Sequence, residues 1–231
     1  MIPGSSPQEE LRHERKFLIT AYSVREVEQI IKLHPACFTE VYSQREINNI
    51  YFDSFGYDSY YDNVEGEKFR SKARIRWYGE LFGTIRLPVL EYKIKEGLLG
   101  KKNSYSLSSF VLDKTFSKEQ IINAFKTKSI PDHIRKDILT LRPALLNSYS
   151  RRYFLSADGL FRMTIDWGLT YYRINYSGNT FLNRSKDHNT TVVELKYSSA
   201  LENKAKEIGS SFPFVLTKSS KYLQGIERVL F

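Results

Sequence analysis

Five short segments of this chain obey one rule: apolar residues alternate with ionised ones. Side chains of a β-strand point to opposite faces with period two, so each segment carries an apolar face and a charged face. In Leu11 to Phe17, Arg12, Glu14 and Lys16 share a face. Lys72, Arg74 and Arg76 oppose Ala73, Ile75 and Trp77. Glu91, Lys93 and Lys95 oppose Leu90, Tyr92 and Ile94. Arg162, Thr164 and Asp166 oppose Phe161, Met163 and Ile165, and Glu194 and Lys196 oppose Val193, Leu195 and Tyr197. A one-sided sheet with a solvated outer face also alternates. Such a face mixes in Thr, Ser and Gln, whereas here nearly every position holds a full charge. Arginine, suited to bidentate recognition of phosphate, holds several of them. A closed β-barrel meets the pattern another way: the charged face turns inward onto a polyanion, and the apolar face turns outward under covering helices.

Further runs rich in Tyr, Phe, Ile and Val read as strands: Ile47 to Asp53, Ser104 to Leu112, Ser148 to Ser156 and Thr170 to Asn175. Ala157-Asp158-Gly159 reads as a hairpin turn and Trp167-Gly168 as another. Helices are fewer. Ser23 to Lys32 opens with the capping-box pair Ser23 and Glu26, and Ser117 to Lys126 with Ser117 and Gln120. Asp132 to Leu141 has Asp132 as its cap and Pro143 beyond its end, Leu201 to Ile208 is closed by Gly209, and Ser219 to Val229 completes the set. Many strands with few helices predict an α+β fold dominated by an antiparallel sheet, closed into a β-tunnel with covering helices. Residues 1–10 read as a frayed tail, and residues 11–231 as one domain.

A net charge of +9 calls for a polyanionic partner. Nucleic acid fits poorly, because the basic residues alternate within strands instead of forming one exposed stripe, and no RNA-recognition signature is present. No apolar run approaches the roughly 20 residues that cross a bilayer, and no signal peptide is evident. Cys37 is the only cysteine, so no internal disulfide forms and a cytoplasmic setting is expected, with Cys37 in the core. His13, His34, His133 and His188 lack metal-ligand spacing and read as structural. Tyr57, Tyr60 and Tyr61 read as a helical turn with ordinary aromatic packing.

The order of eight short motifs resembles the VTC domain, the polyphosphate polymerase module of the vacuolar transporter chaperone complex, within the CYTH-like, triphosphate tunnel group. They are Arg12-His-Glu-Arg-Lys16, Tyr51-Phe-Asp53, Lys72-Ala-Arg-Ile-Arg76, Leu90-Glu-Tyr-Lys-Ile-Lys95, Tyr149-Ser-Arg151, Arg162-Met-Thr-Ile-Asp166, Val193-Glu-Leu-Lys196 and Lys218-Ser-Ser-Lys221. The resemblance spans about Leu11 to Leu230. It implies a closed antiparallel eight-stranded β-tunnel that transfers the terminal phosphate of a nucleoside triphosphate such as ATP to a growing polyphosphate chain, with Mn²⁺ or Mg²⁺. It implies phosphate contacts from Lys16, Arg74, Arg76, Lys93, Tyr149, Arg151, Arg162, Lys196, Lys218 and Lys221. Of these, Arg74, Arg76 and Lys221 would be catalytic, and Glu194 with Glu14 would hold the metal. The hydrolytic members of the wider group begin Glu-x-Glu-x-Lys, and here the first position is Arg12. Losing that carboxylate weakens a two-metal, water-activating site and favours transfer over hydrolysis. A tunnel-fold triphosphatase, or a polyphosphate-binding module without turnover, remains the alternative. A membrane protein is a possible partner, although this chain carries no membrane helix in its sequence.

Overall fold

The computed structural model describes residues 12–96, 99–175 and 178–230. The strands are β1 (Arg12–Ile19), β2 (Thr39–Asp53), β3 (Phe69–Tyr78), β4 (Gly83–Ile85), β5 (Val89–Glu96), β6 (Leu99–Ser106), β7 (Phe110–Leu112), β8 (Arg142–Leu155), β9 (Arg162–Arg173), β10 (Arg184–Asp187) and β11 (Thr191–Ser198). The helices are α1 (Val24–Lys32), α2 (Asp58–Glu65), α3 (Lys118–Ala124), α4 (Asp132–Thr140), α5 (Glu202–Ser210) and α6 (Lys221–Leu230). Hydrogen bonding orders the main antiparallel sheet β1-β11-β9-β8-β2-β3-β5-β6, with β10 as a ninth strand on β9, while β4 pairs β7 separately. The class is α+β, as the alternation predicts. The tail at residues 1–10 lies outside the described residues.

The chain clusters into two compact units. The first takes its described residues from Met1–Gln44, Arg152–Asp166 and Asn189–Ser219. In it, β1 pairs β11 and β11 pairs β9. Phe17, Ile19, Phe161, Met163, Ile165, Val193 and Leu195 are buried on the apolar faces. Phe212 stacks on His34 at 4.4 Å between ring centroids and on Phe214 at 5.3 Å, so His34 is a packing residue. The α1 capping box forms as its sequence requires, with Ser23 N–H donating to Glu26 and Glu26 N–H to Ser23 Oγ.

The second unit takes its described residues from Arg45–Arg151, Trp167–His188 and Ser220–Phe231. Its core joins Ile50, Phe52, Ala73, Ile75, Trp77, Leu90 and Tyr92, from the apolar faces of β2, β3 and β5, to Ile121, Ala124, Ile134 and Ile138 of α3 and α4. This is the expected arrangement: helices cover the apolar face and leave the charged face to do something else. Ile94 is the exception on β5, being exposed. Helix α6 packs so closely that a Cβ at Gly225 would overlap Leu145 and Tyr171, which is why glycine stands there.

Several sequence expectations are corrected. Trp167-Gly168 is no turn: β9 runs through it, and Gly168 takes φ 65 between the stretch paired to β11 and the stretch paired to β10. Glycine alone adopts that φ without strain. The run Ser104 to Leu112 divides into the end of β6 and β7. Pro131, not Asp132, caps α4, and Ser117 caps α3 without a side-chain bond. Gly209 lies inside α5 rather than ending it. Cys37 is exposed, with φ 50, because it sits in the tight turn after α1. The Asp158-Gly159 turn is as expected: Asp158 Oδ1 accepts from Ser156 Oγ and Leu160 N–H, and Gly159 takes φ 71.

Candidate functional site

In the first unit, register brings charges of opposite sign together. Glu14 lies opposite Lys196, and Lys16 opposite Glu194, across β1 and β11. Lys16 Nζ stands 3.0 Å from Glu14 and 3.6 Å from Glu194. Lys196 Nζ stands 3.1 Å from Glu194 and 3.8 Å from Glu14. Burial and the nearby Glu194 carboxylate push the Glu14 pKa up, but Lys16 and Lys196 outweigh them and hold it below its ordinary value. Lys16 also donates to the Ser219 carbonyl at 3.2 Å. On β9, Thr164 lies opposite Glu194 and Arg162 opposite Lys196. Arg162 is exposed, and so is Lys218, in the extended segment before α6.

The buried Thr164 hydroxyl has no hydrogen-bond partner. Beside Glu194, it supplies an unspent oxygen. A hard divalent cation takes one or two carboxylates plus substrate oxygens in preference to an all-protein cage. Glu194, Glu14 and Thr164 fit that demand. Among the described residues no group of three or more His, Cys, Asp or Glu could hold a metal alone.

In the second unit, β2, β3, β5 and β6 pool their charged faces. Asn49 pairs with Arg76 and Tyr51 with Arg74, while Arg74 lies opposite Glu91. Arg74 grips Glu91 through Nε at 2.6 Å and Nη2 at 2.5 Å. Arg76 Nη1 lies 3.5 Å and Lys102 Nζ 2.6 Å from the other carboxylate oxygen. Burial opposes the Glu91 charge, yet Arg74, Arg76 and Lys102 pull its pKa far below the carboxylate range. Burial likewise opposes the Arg74 charge, and Tyr51, Glu91 and Tyr149 more than compensate. Lys102 shares that one carboxylate with two guanidiniums; burial and both arginines outweigh Glu91 and lower its pKa. Arg76 donates through Nε to Asn49 Oδ1 at 3.1 Å.

A second group surrounds Tyr149, a fully buried ring of β8. Arg151 Cζ lies 5.4 Å and Lys221 Nζ 4.9 Å from its centroid, within cation–π range. Lys221 opens α6, and the next residue anchors the helix: Tyr222 Oη donates to buried Asp53. Asp53 also accepts from the backbone N–H groups of Ser54, Ser59 and Tyr60, so it fixes the start of α2 as well.

The fold thus gathers Glu14, Lys16, Glu194 and Lys196 in one unit, and Arg74, Arg76, Tyr149, Arg151 and Lys221 in the other. Lys93 is exposed on β5, opposite Lys72. Lys218 lies in the approach to α6, which begins at Lys221, so the two lysines do not share a helix. Nothing is described of the Arg12 or Lys95 side chains. Sequence reasoning gave no role to Asn49, Tyr51, Asp53, Lys102, Asn147, Thr164 or Tyr222. Alternation carried a signal for four: Thr164 stands on the charged face of its strand, and Asn49, Tyr51 and Asp53 alternate with Ile50 and Phe52 along β2. Lys102 went unnoticed because β6 is polar on both faces.

Among the described residues, no helix is long and apolar enough to cross a membrane. A search of curated proteins gives no match. Solved structures of the same fold include the PH1819 protein from Pyrococcus horikoshii OT3, at 12% identity and TM-score 0.50, covering 94% of this chain and 98% of that one. HpAC1 from Hippeastrum, described as having a dominant triphosphatase activity, aligns at 13% identity and TM-score 0.51, covering 95% and 98%. A Vibrio parahaemolyticus protein aligns at 9% identity and TM-score 0.50, covering 94% and 99%. The family profile described as VTC domain matches residues 11–230, nearly the whole chain, so this protein belongs to the VTC domain family.

Proposed function

We propose that this protein is a polyphosphate polymerase that transfers the terminal phosphate of a nucleoside triphosphate, ATP in the first instance, to a growing polyphosphate chain. The observation that carries the reading is the Arg74–Glu91–Arg76 arrangement. Two guanidiniums are held side by side by one buried carboxylate and by Asn49, so they meet a phosphate already oriented. Phosphoryl transfer depends on positioning and on offsetting charge at the equatorial oxygens. Arg74 and Arg76 serve the transferring group, and Lys102, Arg151 and Lys221 the rest of an anionic chain. In the first unit, Lys16 and Lys196 take further phosphate oxygens, aided by Arg162 and Lys218. Lys93 is a further phosphate contact of β5.

The terminal oxygen of the acceptor chain attacks the γ-phosphorus. A new P–O–P link forms, the β–γ bridging bond breaks, and the nucleoside diphosphate leaves with the bonding pair. No general base is needed, since a phosphate chain end is already anionic. Mn²⁺ or Mg²⁺ held by Glu194, with Glu14 and Thr164, would neutralise charge on phosphate oxygens. Arg12 in place of a first carboxylate, and two glutamates each engaged by lysines, support transfer over activation of water.

The test is incubation of pure protein with ATP and Mn²⁺ or Mg²⁺, resolved on a gel. Long chains support the polymerase; orthophosphate or pyrophosphate alone marks a triphosphatase, and no turnover with tight retention of polyphosphate marks a binding module. Arg74→Ala should reduce chain synthesis at least tenfold, and a rate within about twofold of wild type would remove Arg74 from the mechanism.

A further inference from the structure

Arg76 begins a buried relay whose last donor is unused. Its Nε donates to Asn49 Oδ1 at 3.1 Å, and Asn49 Nδ2 donates to Asn147 Oδ1 at 2.9 Å. Both asparagines are fully buried. The direction is forced by chemistry: a guanidinium only donates, so Asn49 must present its oxygen to Arg76 and its amide nitrogen to Asn147. Asn147 must then turn its oxygen towards Asn49. Its Nδ2 is left buried with no hydrogen-bond partner. Buried donors are almost always satisfied, and one left over beside a cationic cluster asks for an acceptor.

We propose that Asn147 is a phosphate-binding residue, its Nδ2–H donating to an anionic phosphate oxygen held by Arg76, and that Asn49 is the positioning residue that couples the two. This rests on the reading of the face as a phosphate site and adds a neutral donor to it. A neutral amide discriminates by geometry where a cation attracts any anion. Through Asn49, the relay ties the orientation of the Arg76 guanidinium to that of the Asn147 amide.

Calorimetric titration of inorganic tripolyphosphate into the full chain tests this. Wild type should bind, and Asn147→Asp, which replaces the donor by a carboxylate oxygen of equal size, should bind at least about tenfold more weakly. Because the aspartate also adds charge near Arg76, Asn147→Leu is measured beside it: a purely structural amide would lower the melting temperature without ligand and leave the Kd of this uncharged variant within about twofold, which overturns the proposal. Should Asn147→Asp fail to fold, wild-type protein answers alone. On saturation with tripolyphosphate, the assigned Asn147 side-chain amide resonances should shift and exchange more slowly with solvent. Unchanged resonances, as with a resident water that the ligand does not displace, overturn the proposal. Wild type that binds no tripolyphosphate removes the phosphate reading itself, and Asn147 with it; binding that ignores Asn147→Asp removes Asn147 alone.

Discussion

Glu91→Gln isolates the charge that organises the second unit's cationic face. The substitution keeps size and shape and removes one negative charge, which is 8% exposed and faces Arg74, Arg76 and Lys102. Breaking a buried ion pair by removing one partner costs about 3–5 kcal/mol. The remaining amide oxygen still accepts one hydrogen bond and returns about 1 kcal/mol. Lys102 is half in solvent, so its share is that of a surface pair. The net loss is about 3 kcal/mol, or roughly 6–12 °C in melting temperature for a chain of this size. Thermal unfolding at neutral pH and low salt reads it directly. The acid dependence supplies a second check. The folded-state pKa of Glu91 lies below its ordinary value of 4.5, so its contribution is complete above that value and is lost as pH falls beneath it. The gap between wild type and Glu91→Gln should therefore begin to narrow as pH falls below about 5 and go on narrowing well below the ordinary carboxylate range. A neutral-pH gap below about 1 kcal/mol would show that these pairs behave as surface pairs. A gap independent of pH would show that packing, not charge, is responsible.

Two further predictions concern the scaffold. Gly225→Ala gains up to about 1 kcal/mol of helix propensity, but its Cβ would come within 2.6 Å of Tyr171 and closer still to Leu145, both fully buried. Overpacking of that kind costs about 1–3 kcal/mol, so net destabilisation is expected on chemical unfolding, together with weaker tripolyphosphate binding as α6 and Lys221 are displaced. A variant as stable as wild type would refute the close packing. Glu202 accepts from His13, Arg15 and Tyr197, bonds that lower its pKa to about 2. Its stabilising share is present above the ordinary 4.5 and fades as pH falls towards 2; Glu202→Gln should flatten this part of the acid melting curve, by under about 1 kcal/mol because the group is partly exposed. An unchanged curve would count against the cluster.

Which parts were legible in the sequence follows from the range of the interactions. Alternation is local, so the faces of β1, β3, β5, β9 and β11 could be read directly, and so could the α1 capping box. Turn chemistry at Asp158-Gly159 is local as well. The failures have a common cause. Trp167-Gly168 has the composition of a turn, yet β9 continues because β10 and β11 supply partners on either side of Gly168. Cys37 is apolar enough for a core, but its backbone must reverse after α1. By spacing, Lys218 and Lys221 fit one helix face or the approach to it; the approach is what forms, with Thr217 N–H pairing to the Lys16 carbonyl before α6 begins. The site shows the same division. Charged residues on strand faces announced themselves, whereas Asn49, Asn147 and Asp53 matter through partners nearly a hundred or more positions away.

That division bears on how the two chemistries of the site are combined. Glu91 and Asn49 hold the guanidiniums in place before any ligand arrives, which lowers the ordering cost of binding. Yet one carboxylate serves Arg74, Arg76 and Lys102 together, so the face keeps an excess of positive charge. Such an excess destabilises the empty fold and is relieved by a bound polyanion. A ligand at a hundred times its dissociation constant adds about 2.7 kcal/mol of stability, comparable to what Glu91 contributes alone. Glu91 and a phosphate chain are therefore competitors for the same cations as well as partners in orienting them. Weakening Glu91 should lower the stability of the empty protein and raise the stabilisation gained on binding tripolyphosphate. Removing Arg74 should diminish both. Opposite responses of that kind separate a face built for a polyanion from one whose charges only balance each other.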